Sequence, residues 1–305
     1  MNILLTGANG FLGKSISEGT HADNHIKTLS RTAGDYKISL EKEIPVFKES
    51  FDLVIHAAGK AHVVPKTELE KKQFYDVNVV GTLNLLKGLE KGASLPKQFV
   101  LISSVAVYGK DFGVNIDEEH PLMASDAYGL SKIEAEKAVL NWCEKNKIVC
   151  TILRLPLLVG KNPPGNLGAM IKAIDKGFYF NIDKGKARKS MILVDDVTSF
   201  IFIAASVGGI YNLTDNVHPS FDELSKALST NGKRYLSLPL ILAKVIGKIG
   251  DLLGNRAPVN TSKVKKITSN LTFDDSKAKQ LFDWKPKPVL EYIKKVGVRD
   301  VKTFQ

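Results

Sequence analysis

Tyr128 and Lys132 stand four residues apart in the run YGLSK, and two serines, Ser103 and Ser104, close the apolar run QFVLISS. Helix positions i and i+4 share one face, a turn apart. A phenol, an ammonium and a hydroxyl gathered at one point can exchange a proton with a substrate hydroxyl or carbonyl. In such a centre the tyrosine moves the proton, the lysine charge favours phenolate, and a serine hydroxyl holds the substrate oxygen. Hydride at the neighbouring carbon would come from a nicotinamide. Taken alone, YxxxK is also the pattern of an exposed helical pair, so the rest of the chain must supply a cofactor and a scaffold.

The amino-terminal run MNILLTGANGFLG places Gly7, Gly10 and Gly13 at a spacing of three, directly after an apolar strand and before a helix. Glycine permits a tight turn and lets backbone approach a phosphate at the positive end of a helix. Asn9, Phe11 and Leu12 lie between these glycines and share the expected dinucleotide cradle. The second strand ends in Ser30-Arg31, where dinucleotide folds place the residue that reads the ribose. An acidic residue there would accept from a 2′-hydroxyl, whereas arginine matches a 2′-phosphate. The expected cofactor is NADP, with NAD as the alternative.

These groups need a frame. Strand-like runs at 3–5, 26–30, 52–56, 98–103 and 148–153 alternate with helix-like stretches that open near Gly10 and cover 68–91 and 127–146. Strands apolar on both faces imply a parallel sheet covered on both sides, hence an α/β, doubly wound fold. Ser103 and Ser104 then lie at the carboxyl end of a strand, where open α/β sheets bind ligands. The turn-rich NPPGN at Pro163 breaks this pattern. Beyond it the sequence predicts a short helix at 168–177, a basic polar loop at 183–189, a strand at 190–196, and mostly helix from Pro219, with a hairpin-like piece at 271–273. The expected units are 1–163 with about 190–217 as the dinucleotide domain, and 164–189 with 218–305 as a smaller, mostly helical substrate lobe.

Bulk composition narrows the field. The 305 residues are 44% hydrophobic and 25% charged, as in an ordinary globular chain. No apolar run reaches transmembrane length, and the amino terminus has no secretory pattern. Cys143 and Cys150 form no CxxC, which fits a reducing, cytoplasmic setting. Six scattered histidines offer no ligand spacing, so no metal is expected. The net charge of +11 suits polyanionic ligands, but the lysines are dispersed and no basic–aromatic repeat occurs, so nucleic acid is not expected as a partner.

TGANGFLG, HAAG at 56–59, NVVGT at 78–82, SSVAVYG at 103–109 and YGLSK at 128–132 together resemble the extended short-chain dehydrogenase/reductases, and within them the nucleotide-sugar epimerase/dehydratase/reductase group. LRLPLLVG, SMILVDDV and TFDDSKAKQLFDWKP carry the resemblance to the carboxyl-terminal part. The resemblance implies a Rossmann-like fold with Gly7, Gly10 and Gly13 on the pyrophosphate, and Ala57, Ala58 and Gly59 along the cofactor. It also implies that Asn78 supports the active-site helix and that Leu155 and Pro156 approach the nicotinamide. It selects Ser104, four residues before Tyr108, as the catalytic serine beside Tyr128 and Lys132, with Lys132 also on the ribose. Asn166, Arg188 and Lys189 fall where relatives contact the sugar nucleotide.

The stretch Ser104-Val105-Ala106 stands where dehydratases of the group carry Thr-Asp-Glu, which argues against 4,6-dehydration. Two reactions on a UDP-sugar remain. The Arg31 reading leans toward a 4-keto-sugar reductase for surface polysaccharide synthesis, and the alternative is a 4-epimerase with recycled NAD. A non-catalytic dinucleotide-binding regulator would be expected to carry a broken Ser/Tyr/Lys set, and here the set is intact. The apolar run 236–254 reads as a core-facing helix of the second lobe ahead of an interfacial membrane helix. A homodimer is expected by analogy alone.

Overall fold

Seven strands, all parallel, form the central sheet. The computed structural model describes residues 1–61, 63–229, 235–253 and 259–301. In chain order the strands are β1 (Asn2–Thr6), β2 (His25–Ser30), β3 (Tyr36–Lys37), β4 (Leu53–His56), β5 (Gln98–Ser104), β6 (Gly113–Ile116), β7 (Val149–Leu155), β8 (Leu157–Val159), β9 (Asn181–Ile182), β10 (Met191–Leu193), β11 (Gly209–Asn212), β12 (Ser237–Leu238) and β13 (Leu271–Phe273). The helices are α1 (Phe11–Gly19), α2 (Glu68–Tyr75), α3 (Gly81–Glu90), α4 (Ala127–Asn146), α5 (Gly165–Asp175), α6 (Val194–Ala204), α7 (Phe221–Ala227), α8 (Leu240–Leu253), α9 (Thr261–Thr268), α10 (Ser276–Phe282) and α11 (Val289–Val301).

The sheet order is β11-β7-β5-β4-β1-β2-β3. The chain leaves β1 toward β2 and β3, then returns to β1's other side as β4. That reversal is the switch point where open α/β sheets leave a crevice. Alternation explains why both faces are covered. Ile3, Leu5, Leu53 and Ile55 enter one buried cluster with α1 and α6. Leu4 and Val54 enter another with α3 and α4. A strand apolar at every position needs two covered faces, because successive side chains point oppositely.

A third cluster joins Val159, Leu167, Ile171, Met191, Leu193, Leu224, Val289 and Ile293 into the core of the second lobe. The lobes share elements. Met191 and Leu193 of β10 face this third cluster, while Ile192 faces the main core. Ala278 and Trp284, far along the chain, also pack into the main core.

The helical stretch 68–91 is seen, with a π-helical turn at Asp76–Val80 between α2 and α3. Several other local expectations change. The strand expected over 190–196 stops at Leu193, and Asp195 and Asp196 form the first turn of α6, where acidic side chains meet the positive end of the helix. The short helix starts at Gly165 instead of Gly168. Residues 271–273 form no hairpin, since β13 runs parallel to β6, a pairing distant in sequence and invisible to local pattern.

The run 236–254 is corrected more deeply. Its last residue lies outside the described residues. The helix α8 packs through Ala243, Gly247 and Gly250 alone, and its large apolar side chains point outward instead of into a core. Among the described residues no helix is long and apolar enough to cross a membrane.

Candidate active site

The glycine loop does two jobs. Gly7 has φ +74°, and a Cβ there would lie 2.6 Å from the Ala58 nitrogen. A Cβ on Gly13 would come within 2.1 Å of the Gly7 carbonyl oxygen. Both glycines are therefore fixed by the close approach of the first turn to the β4 exit and of α1 to that turn. Gly10 differs, since its nearest such contact is the Gly7 carbonyl oxygen at 3.1 Å. It caps α1 with no side-chain hydrogen bond, and no acidic side chain stands in the helix's first turn. The first backbone N–H groups of α1 thus meet no competing side chain, which is what an anionic diphosphate requires.

Around this loop the expected cofactor residues separate. Ala57 and Ala58 donate backbone N–H to the Thr6 carbonyl and Oγ1, at 3.2 Å each, which holds the β4 exit against the glycine loop. Gly59 is exposed, and a Cβ on it would meet Asn78 Oδ1 at 3.1 Å and Lys132 Nζ at 3.8 Å. Asn9 donates to Ser30 Oγ at 2.8 Å. The Ser30 hydroxyl in turn donates to the Ala33 carbonyl, so this serine is used within its own turn. Arg31 is exposed, and no hydrogen bond or ion pair among the described residues engages it. Leu12 and Leu155 send their side chains into the main core, and Phe11 packs against that core from its edge. Both leucine side chains are buried. Pro156, half-buried, follows at the end of β7.

The helix α4 carries Tyr128, the candidate acid–base group. Asp126 caps it, accepting from the Tyr128 and Gly129 nitrogens at 3.1 Å each. Tyr128 is half-buried and packs its ring 5.9 Å from that of buried Phe74. Burial pushes the phenol above the ordinary tyrosine range, the neighbouring Ser104 hydroxyl pulls it back, and Asp126 adds to the rise. Ser104 ends β5 and accepts from the Ala106 nitrogen at 3.2 Å. Lys132 is buried and donates to the Ile102 carbonyl at 2.6 Å. Burial draws its ammonium down to about 8, against the pull of Glu136. Its amine is turned to β5, and its charge acts on His56.

Asn78 links two segments. It sits buried in the π-helical turn, accepts from the Lys60 nitrogen at 2.7 Å, and donates to the Lys60 carbonyl at 3.1 Å and to Ser131 Oγ at 2.8 Å. Ser131 donates onward to the Tyr128 carbonyl at 2.7 Å. One amide therefore ties the β4 exit to the first turn of α4.

Sequence reading missed the adjoining buried network. Glu136 lies four residues beyond Lys132 and pairs with Arg154 of β7 at 2.8 Å, both side chains almost wholly buried. Arg154 also donates to the Tyr108 hydroxyl at 3.2 Å, and that hydroxyl donates to Asn212 Oδ1 at 2.8 Å. Ser103 donates to the Glu136 carboxylate. The two adjacent serines are thus divided, with Ser103 consumed by structure and Ser104 set beside the phenol. The signal was available as Tyr128, Lys132 and Glu136 at i, i+4 and i+8, with one arginine inside the buried strand IVCTILRL.

His56 is a core residue, bonded to Thr6 Oγ1 at 2.6 Å and Thr82 Oγ1 at 2.9 Å. Burial and the Lys132 charge push it down to about 3. In the second lobe Asn166 is exposed in the first turn of α5. Arg188 pairs with Glu223 at 3.2 Å and donates to the His218 carbonyl at 3.0 Å. Lys189 donates to the Lys266 carbonyl at 2.9 Å, and burial draws it down to about 8. Neither cation is brought to the Ser104–Tyr128 pair by any contact described. Among the described residues no group of three or more His, Cys, Asp or Glu is placed to hold a metal ion.

The sequence model of the NAD dependent epimerase/dehydratase family matches residues 3–214. The chain is 31% identical over 298 residues to an N-acetyl-alpha-D-glucosaminyl-diphospho-ditrans,octacis-undecaprenol 4-epimerase of Escherichia coli O157:H7, covering 90% of this chain and 88% of the relative. It is 28% identical over 315 residues to a UDP-glucose 4-epimerase of Vibrio cholerae, covering 95% and 92%. The structure of RMD from Pseudomonas aeruginosa complexed with NADPH superposes with a TM-score of 0.74 at 19% identity, covering 99% of this chain and all of that one, a likeness of fold.

Proposed function

The chain belongs to the NAD dependent epimerase/dehydratase family, and we propose that it inverts the C4 hydroxyl of a UDP-linked sugar, with a nicotinamide dinucleotide recycled in each turnover. The observation that carries this reading is the Ser104–Tyr128 pair at the carboxyl end of β5, beside buried Lys132, in a chain that matches two 4-epimerases over at least 90% of its length. The 4-keto-sugar reductase reading draws no specific support from these relatives, and the epimerase reading draws support from both.

The residues present fit a dinucleotide. The uncapped start of α1 and Gly10 would face the diphosphate, Lys132 a ribose, and Arg31 the adenosine ribose. A bound nicotinamide would supply the hydride acceptor and donor for C4. The protein's own part is proton handling. Ser104 donates to the C4 oxygen and holds it. Tyr128 takes the hydroxyl proton as C4 is oxidised and gives it back as the ketone is reduced. Taking that proton requires the phenolate, so Tyr128, whose phenol burial raises, must first release its own proton to solvent, and the protonated form then serves the return step. Asn166 is our candidate for sugar contact. The exposed Arg188–Glu223 pair is of a kind worth about 0–1 kcal/mol, so a diphosphate can displace it at little cost.

The unengaged guanidinium of Arg31 and the absence of an acidic side chain at the β2 exit support NADP as the preferred dinucleotide. Arg31→Asp is expected to shift the NADP-to-NAD affinity ratio toward NAD by roughly tenfold or more, read by nicotinamide fluorescence titration. A sugar carried on polyprenyl diphosphate is a second reading of the substrate, favoured by the exposed apolar face of α8 against which a lipid would lie.

The test is to incubate the protein separately with each C4 epimer of UDP-glucose and of UDP-N-acetylglucosamine, with NAD or NADP. The epimers are separated by chromatography while nicotinamide absorbance is followed. Convergence of both epimers on one mixture with no net absorbance change is expected. Stoichiometric loss of NADPH with a 4-keto-6-deoxy sugar, and no epimer exchange, would replace this reading with the reductase.

A further inference from the structure

The helix α8 has a face with no place in the fold. Ala243, Gly247 and Gly250 form its packed side, where Gly247 closes onto the backbone of Thr261 at the start of α9. The opposite side exposes Ile241 (76%), Val245, Ile249 and Leu252 (88%), with Leu242 and Ile246 at its edge. At about 100° per residue, these side chains cover an arc of roughly 140°. Lys244 and Lys248 flank one edge of that arc, one turn apart. Monomeric proteins rarely expose a contiguous apolar stripe of this kind without a partner for it.

Charge identifies the partner. The helices α8 and α9 together carry Lys244, Lys248, Lys263, Lys265 and Lys266 against one carboxylate of their own, Asp251, while Lys266 pairs with Asp111 outside them at 3.1 Å. Asp251 is spent locally, accepting from the Thr261 hydroxyl at 2.5 Å and from the Thr261 nitrogen at 3.2 Å. Beside them Lys265 lies 4.9 Å over the ring of exposed Phe112, so the apolar–basic character extends past α9. A second copy docking face to face would set lysine against lysine. An anionic bilayer offers apolar depth for the isoleucines and leucines and phosphates for the lysines, whose stems reach up to the headgroups.

From this arrangement we infer that α8 is an interfacial membrane helix, which seats the second lobe on anionic phospholipid with its axis in the plane of the surface. The inference goes beyond the proposed reaction, and its test needs no turnover. Basic side chains near an anionic leaflet attract it measurably, and the attraction is screened by salt.

The full chain is floated with vesicles of phosphatidylcholine alone and of phosphatidylcholine with phosphatidylglycerol. The expected result is flotation with the phosphatidylglycerol vesicles, reduced by salt, and at least roughly tenfold weaker binding to phosphatidylcholine alone. The double variant Ile246→Glu with Ile249→Glu is expected to lose flotation while keeping its thermal transition and its dinucleotide binding. Lys244→Glu with Lys248→Glu is expected to weaken binding by roughly tenfold or more. Three results would overturn the inference. One is absence of flotation by the unaltered chain with phosphatidylglycerol vesicles. Another is unchanged flotation of the isoleucine variant. The third is a dimer by light scattering that this variant converts to monomer without any vesicle binding, which would give the face to a second copy.

Discussion

Two helices of this protein invert the usual distribution of side chains, in opposite directions. The helix α4 buries Lys132, Glu136 and Ser131, while α8 exposes Ile241, Val245, Ile249 and Leu252. Each buried polar group on α4 has a partner in the sheet or in the turn before α3, so its polar face is held from both sides. On α8 the apolar face is exposed among the described residues. A buried charge needs an internal reason and an exposed apolar stripe an external one. On the proposed function, the buried polar face of α4 serves chemistry, and on the inference above the apolar face of α8 serves a surface outside the molecule.

The sharpest way to break this comparison is at the phenol. Tyr128→Phe keeps the ring contact with Phe74 and removes the proton carrier. Epimer exchange is expected to fall about 10²–10⁴-fold in kcat, with dinucleotide affinity retained. Unchanged turnover would remove α4's catalytic face from the account.

Next comes the charge behind it. Arg154→Met leaves Glu136 buried without its cation, and a loss of about 3–5 kcal/mol in denaturant unfolding is expected. Adding Glu136→Met to that variant should recover much of the loss, since a buried pair is weakly stabilising against an apolar replacement.

The pH dependence is smaller. His56 is held neutral in the folded protein, pushed down to about 3 from an ordinary value near 6.5. Between those values the unfolded chain binds a proton that the folded protein refuses, so stability falls as pH drops from 6.5 toward 3. The slope is up to about 1.4 kcal/mol per pH unit from this one group. Replacing His56 with Gln should remove that component of the acid unfolding curve.

The smallest expected effect lies on α8. Leu252→Ser and Ile241→Ser should each change unfolding free energy by no more than about 0.5 kcal/mol, because neither side chain is buried. A loss of about 2–5 kcal/mol, as in a core truncation, would return this helix to the interior.

The same contrast shows what the sequence made legible. The central strands β1, β4 and β5 carry consecutive apolar residues, which requires two covered faces, and the glycine spacing after β1 requires a tight first turn. Both are local patterns, and both are seen in the fold. The division of labour between Ser103 and Ser104 is not local, since it depends on Glu136 and Tyr128, two turns apart on α4, meeting adjacent residues of the strand end. The parallel pairing of β13 with β6 joins distant segments and leaves no periodic trace. The π-helical turn at Asp76–Val80 keeps a helical hydrophobic pattern, so only geometry reveals it. For α8 the apolar content was plain, but its direction was set by three small residues, which admit α9 closely and leave the large side chains outside.

The most direct test of the account follows the hydrogen on C4. A UDP-sugar deuterated at C4 is incubated with the protein, and both epimers are analysed by mass spectrometry and NMR. Reversible hydride transfer with Tyr128 moving only the hydroxyl proton predicts that deuterium stays on C4 in both epimers, without exchange into water. Loss of the label to solvent, or consumption of dinucleotide in step with product, would contradict it.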